Sequence, residues 1–240
     1  MRPITDNRIS LIKESHKYVL KGHPELEFSS VTTEVEKYFE PFDAEAIATN
    51  LVANYPKYMG MEVSELIEEW DAARDYGTKV HNEIELFLKE SVSPEETRSF
   101  DAIDWLKKYQ MKSEITIHSE VRIYSKELNL AGTIDVLAHD ARTNKYEIID
   151  WKTSKAIKTV SFNGKMGKHP ITSHLMDCKF VTYSMQLSFY RYLLETYYGL
   201  NITSQYIAHL DGVSCKSYMG DYYKNEVIEI IKDLQNKENT

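Results

Sequence analysis

From residue 64 to about residue 90, Leu66, Ile67, Trp70, Ala73, Val80, Ile84, Phe87 and Leu88 recur near every 3.6 positions, which predicts one long amphipathic helix. Further along, the period changes to two. Ile115, Ile117, Val121 and Ile123 alternate with Thr116, His118, Glu120 and Arg122, the pattern of a half-buried strand with Glu120 on its polar face. Two runs rich in Ile and Val, 130–138 and 146–151, flank the turn-forming Asp140-Ala141-Arg142-Thr143-Asn144 and predict an antiparallel hairpin. A second long helical pattern covers 177–198 and stops at Gly199, and another strand is expected over 204–210.

Shorter signals fill in the rest. The runs 9–12 and 18–20 read as a small leading hairpin. Ser29 and Ser30 are placed to cap a helix through Tyr38, and Asp43 another through about Tyr55. Ser93-Pro94-Glu95-Glu96 has the form of a capping box, so a helix is expected to begin there and run to about Tyr109. Residues 214–223 are ambiguous, 226–234 predict a terminal helix, and the tail from 236 is expected to fray. With 240 residues, 42% of them hydrophobic, and no repeat or linker, one domain is expected: a mixed sheet flanked by helices, with a helical elaboration over about 31–110 and a core over about 111–211.

The hairpin carries the candidate chemistry. Each arm holds a carboxylate where strands are usually depleted of them, and a buried carboxylate demands a cation or hydrogen bonds in place of its water. In the second arm the two-residue period puts Asp150 and Lys152 on one face and sends Trp151 to the other; in the first arm Asp135 is close enough to reach the same point. Two carboxylates and a lysine suit a divalent cation and a phosphate, although a D-x-K on an edge strand is equally the pattern of a surface ion pair.

Upstream, Gly77 interrupts the long helix at a cost of roughly 1 kcal/mol against alanine, which calls for a close neighbour. His81 lies one turn on, on the same inward stripe, and Glu85 one turn beyond it. A lone histidine there also fits a hydrogen-bonded core residue, and Glu85 and Glu120 also fit exposed charges.

Charge narrows the options. The formal net charge is −8, so binding to a polyanion over the whole surface is disfavoured and any nucleic-acid contact must be local. One such locality exists: residues 151–176 contain Lys152, Lys155, Lys158, Lys165 and Lys168 with no Asp or Glu. Cys178 and Cys215 are the two cysteines of the chain and lack metal-type spacing; two cannot supply a four-cysteine iron–sulfur cluster, and their low number fits a reducing cytoplasm. No apolar run approaches ~18 residues, so no membrane helix is expected, and the mixed charges of the N-terminal segment do not form a leader.

Gly132-Thr133-Ile134-Asp135, the turn, and Ile149-Asp150-Trp151-Lys152-Thr153 resemble the PD-(D/E)XK nuclease superfamily and, within it, the RecB-like exonucleases; Ile134 stands where a proline is often found. Gly77 to His81 with Glu85, and Tyr183 to Tyr190 with Gln186, resemble the helical motifs on either side of that hairpin. The resemblance spans residues 77–190 and implies the PD-(D/E)XK fold and a metal-dependent phosphodiesterase acting on DNA. One or two Mg2+ or Mn2+ ions would be held by His81, Asp135, Asp150 and the Trp151 carbonyl, with Glu85 and Glu120 behind them, reaching the ligands or the metal water. Lys152 would act on the nucleophile or the developing charge. Gln186 would hydrogen-bond near the phosphate and Tyr190 would line the strand path by stacking; Thr153 and, from the position of the charge run directly after the D-x-K, Lys155, Lys158, Lys165 and Lys168 are further expected contacts to the strand.

The motif set is similar to single-strand or end-processing exonucleases, such as the mitochondrial genome maintenance exonuclease and the nuclease domains of recombination helicases. It implies 5′-phosphate products and leaves room for a helicase or recombinase partner. The rivals are an endonuclease, a catalytically silent nucleic-acid-binding subunit, and an enzyme of small phosphoesters.

Overall fold

The computed structural model describes residues 2–13, 15–111 and 113–238. The leading hairpin forms as expected, with β1 (Ile9–Ile12) antiparallel to β2 (Lys17–Leu20). A two-residue strand, β3 (Ser29–Ser30), runs straight into α1 (Val31–Glu36), where the Ser30 hydroxyl accepts the Thr33 N–H. Asp43 caps α2 (Ala44–Asn54) in the same way, accepting from Ala46.

The long helix is α3 (Val63–Glu90). The helix after it, α4 (Thr97–Gln110), starts later than the predicted capping box. The reason is tertiary: Glu83 of α3 accepts the N–H groups of Glu95 and Glu96, so residues 93–96 are held as a connector.

Strands β4 (Ile115–Ser125), β5 (Leu130–Asp140) and β6 (Lys145–Lys152) form an antiparallel meander. Helix α5 (Lys179–Leu193) ends in a π turn over 194–198, and Gly199 closes it in the left-handed conformation. Strand β7 (Ile202–Leu210) then runs parallel to β6, β8 (Cys215–Met219) pairs antiparallel at the edge, and α6 (Lys224–Glu238) ends the described chain. The ambiguous segment therefore contains a strand, and β7 lies between it and β6 in the mixed sheet.

Two cores lie on opposite faces of this sheet. One gathers α1, α5 and α6 over Ile123, Ile134, Leu137, Ile148 and Ile207; the other gathers α3 and α4 over Val136, Ala138, Ile149, Trp151 and Ala208. Each buried Val, Leu or Ile among these contributes about 1.5–3 kcal/mol. The single alternation expected for β4 is not observed. Ile115 and Ile117 pack on the α3/α4 face, whereas Val121 and Ile123 pack on the α5 face. In β5, Ile134 and Val136 likewise face opposite ways. Both strands exchange faces at Glu120 and Asp135, where Glu120 is held at φ 52°. A left-handed residue inside a strand is what breaks a period of two.

Candidate active site

The hairpin ladder stops one pair short of the two aspartates. Backbone pairing of β5 with β6 ends at Val136↔Ile149, and β3 takes the edge of β5 that β6 leaves, pairing at Leu130 and Ala131. In the resulting fork, Asp135 substitutes its side chain for the missing ladder partner: Oδ2 accepts the Trp151 N–H at 2.7 Å. Trp151 is buried against Trp105 on the far face, as the period of two predicts, and Asp150 and Lys152 turn toward α5.

Lys152 Nζ lies 2.7 Å from Asp150 Oδ2, with the two side chains 17% and 4% exposed. The two form a charge-assisted contact that is almost closed off from solvent. Gln186 bridges the pair from α5: its Oε1 accepts from Lys152 at 3.4 Å, and its Nε2 donates to Asp150 Oδ1 at 3.4 Å and to the Tyr190 hydroxyl at 3.0 Å. The Tyr183 ring, one turn earlier, lies 4.5 Å from the Lys152 ammonium. From the opposite side, His81 Nδ1 of α3 lies 3.5 Å from Asp135 Oδ2.

The structure thus brings Asp135, Asp150, Lys152, His81 and Gln186 together. Glu120 faces Asp135 across the strand exchange, and Glu85 is drawn toward Lys89 at 2.7 Å and Lys13 at 3.5 Å.

Burial and charge set the protonation states. Burial pushes the Asp150 carboxyl up, against the Lys152 cation, and the net shift is upward. For Asp135 burial acts the same way, but His81, Lys152 and the Trp151 amide outweigh it and hold the carboxyl below its usual range. Burial lowers both His81 and Lys152, yet their carboxylate neighbours leave both raised. Glu120 is pushed up to about 8 by burial and by the charges of Asp135 and Glu85. Two buried carboxylates meeting at one point, Asp135 and Asp150, with the His81 imidazole beside them, have the donor chemistry of a hard divalent cation. Among the described residues, no three His, Cys, Asp or Glu side chains already surround one point, because Lys152 covers Asp150 while Trp151 and His81 occupy Asp135.

Several expectations are corrected in detail. Tyr190 is 3% exposed and its ring packs on Gly132, where an added methyl would meet it at 2.5 Å; it holds Gln186 and is not open for stacking on bases. The neighbour that Gly77 calls for is Thr153, whose Oγ1 would lie 2.7 Å from such a methyl, so Thr153 ties β6 to the His81 helix. Lys155, Lys158, Lys165 and Lys168 are exposed beyond the fork.

The sequence reading missed two supports of this segment: Arg98 Nη1 donates to the Thr153 carbonyl at 2.7 Å, and His209 Nε2 lies 2.6 Å from the Ser154 carbonyl. Neither carries a local pattern, since both contacts span more than fifty residues. Tyr183 was signalled only by standing three residues before Gln186.

Residues 98–209 match the family model described as the PD-(D/E)XK nuclease superfamily. The match includes Glu120, Asp135, Asp150, Lys152, Gln186 and Tyr190, and leaves His81 and Glu85 outside. The mixed sheet flanked by helices is consistent with that fold. No curated protein matches the chain. Among solved structures, the chain is similar to SSO0001 at 12% identity and a TM-score of 0.40, over 89% of this chain and 77% of that one. It is also similar to a protein from Eubacterium rectale provisionally named an exonuclease, at 11% identity and a TM-score of 0.38, over 88% and 79%. Among the described residues, no helix is long and apolar enough to cross a membrane.

Proposed function

From the PD-(D/E)XK nuclease superfamily domain carried over residues 98–209, we propose that this chain is a metal-dependent deoxyribonuclease of the RecB-like branch. It acts as an exonuclease on single-stranded or end-containing DNA and leaves 5′-phosphates. The observation that supports this reading is the fork, where Asp135, Asp150 and Lys152 converge on one buried point between His81 and Gln186.

His81, Asp135, Asp150 and the Trp151 carbonyl are the groups that would hold one or two Mg2+ or Mn2+ ions, which supply Lewis acidity and a lowered water pKa when bound. The Lys152 ammonium, kept protonated by Asp150, orients the nucleophile and stabilises negative charge developing on phosphorus. Gln186 fixes the rotamers of both, so that little reorganisation accompanies reaction. Asp135 holds His81 and the Trp151 amide in register, and Tyr190 holds Gln186.

The test is digestion of end-labelled linear single strands, the corresponding duplex and a closed single-stranded circle, with magnesium, manganese or chelator, beside Lys152→Ala. Linear strands are expected to disappear only with metal, circles to survive, and the variant to be inactive. Cleavage of circles would replace the exonuclease with an endonuclease, and strand binding without cleavage would replace the enzyme with a binding subunit.

A further inference from the structure

Between β6 and α5 the chain folds into an anchored tongue. Residues 165–167 and 175–177 form a short antiparallel ladder, with Gly167 N–H donating to Leu175 and Asp177 N–H to Lys165, both at 2.9 Å, and Met166 bridged to Met176. The base is tied to α5 through the Phe180 N–H and the Lys158 carbonyl. Thr172 is fully buried and donates to the Tyr38 carbonyl at 2.7 Å; any side chain at position 167 would collide with it, so glycine stands there.

Against this anchoring, the tongue leaves large apolar groups in water. Val160 is 62% exposed and Phe162 59%, and Met166 and Met176 are exposed as well. Phe162 begins the turn that leads from the base into the ladder, where Asn163 and Gly164 both adopt positive φ. Lys158, Lys165 and Lys168 are interleaved with these groups, and among the described residues none of the three has a carboxylate within ion-pair distance. That is unexpected in a chain with 37 acidic and 29 basic side chains. The two histidines of the tongue are already engaged, His169 against the Tyr38 ring and His174 with Glu226 at 2.9 Å.

A complementary partner must be anionic along its length and must also present flat apolar faces. A duplex hides its base faces by stacking, whereas a single strand offers both its phosphates and its bases. We propose that the tongue is a guide for single strands: Phe162 stacks on an unpaired base while Lys158, Lys165 and Lys168 neutralise phosphates. Its two ends continue into the elements that carry Lys152 and Gln186, so a strand held there is led to the fork. This assignment rests on the nuclease reading above and supplies its preference for single strands.

The test is fluorescence anisotropy of a labelled oligothymidine strand and of a hairpin duplex, in chelator, across a salt series, with cleavage in magnesium assayed in parallel. Phe162→Ala is expected to weaken strand binding roughly 5- to 150-fold, the equivalent of the ~1–3 kcal/mol of one base stack. It should leave the salt dependence and duplex binding unchanged, and Phe162→Trp should restore affinity. Exchanging Lys158, Lys165 and Lys168 together for Gln should reduce the salt slope by about 2.

Circular dichroism and the melting temperature should stay at wild-type values in both variants. Wild-type affinity in a folded Phe162→Ala overturns the guide, as does an equal loss for strand and duplex. A change of sedimentation from dimer to monomer in that variant also overturns it and assigns the exposed apolar groups to a second copy of this chain. If the wild type cleaves linear strands while both variants bind and cleave normally, the guide fails and the nuclease stands. If the wild type binds in the expected way and cleaves nothing, the nuclease fails and the guide stands. A wild type that binds no strand refutes the guide whatever it cleaves.

Discussion

The two ends of the β5–β6 hairpin are built from similar residues and behave oppositely. At the turn end the ladder runs unbroken from Val136↔Ile149 to Asp140↔Lys145, and several polar side chains find partners nearby. Asp140 accepts the Arg142 N–H at 2.9 Å, His139 hydrogen-bonds to Asn144 at 3.0 Å and stacks on Tyr146, and the Tyr109 hydroxyl donates to Glu147.

At the fork the ladder has stopped, and the backbone depends on a carboxylate side chain for one of its bonds. Charges there are buried and stabilised mainly by each other, and Glu120 is left both in a left-handed conformation and with its pKa pushed up to about 8. A carboxylate at a wet turn is cheap; the same group under a helix needs a cation. Local rules hold where the hairpin only has to fold and fail where charge has been concentrated, which is the usual signature of a functional site.

Three substitutions would break or sharpen that contrast. The largest effect is expected at the fork: Asp135→Asn should keep an oxygen for the Trp151 amide, and hence the fold by circular dichroism, yet lower kcat for strand cleavage by about 10²–10³-fold. Activity within tenfold of wild type would place the chemistry elsewhere.

Next is Glu120→Gln, measured by urea unfolding in chelator. The folded protein keeps a proton on Glu120 up to about pH 8, whereas the unfolded chain releases it near 4.5. The stability contributed by this group is therefore fully present below about 4.5 and is lost as the pH rises to 8. The variant should remove that loss and be more stable than wild type at pH 8 by about 1–2 kcal/mol, with the difference vanishing near pH 4.5. Parallel pH profiles for the two proteins would show that Glu120 is not under this pressure.

The smallest effect belongs to the turn end. Tyr109→Phe deprives Glu147 of a donor and should cost about 1 kcal/mol in thermal unfolding while leaving cleavage unchanged. A drop in cleavage would mean that the two ends are coupled.

The legibility of these regions differed for the same reason. The meander, the long helices and the D-x-K face could be read directly, because alternation, helical period and the Asp140–Asn144 turn are local signals. The start of α4 was misplaced because Glu83, in another helix, supplies the cap that Ser93 appeared to offer. Tyr190 was read as a surface for bases because its spacing from Gln186 puts both on one helix face. That this face lies against Gly132 depends on how α5 packs on the sheet.

By itself, then, the sequence determined the mixed sheet flanked by helices, the order of its main elements and the identity of Asp135, Asp150, Lys152, His81 and Gln186 as one candidate set. Their spacing along strands and helices is a property of the covalent chain. Only the tertiary structure decided where β5 and β6 part, that β4 and β5 exchange faces at Glu120 and Asp135, that Arg98 and His209 brace the segment after Lys152, and that the lysine-rich segment is an anchored tongue with Phe162 exposed on it. Those features arise from contacts between residues far apart in the chain, and no period or motif within one element encodes them.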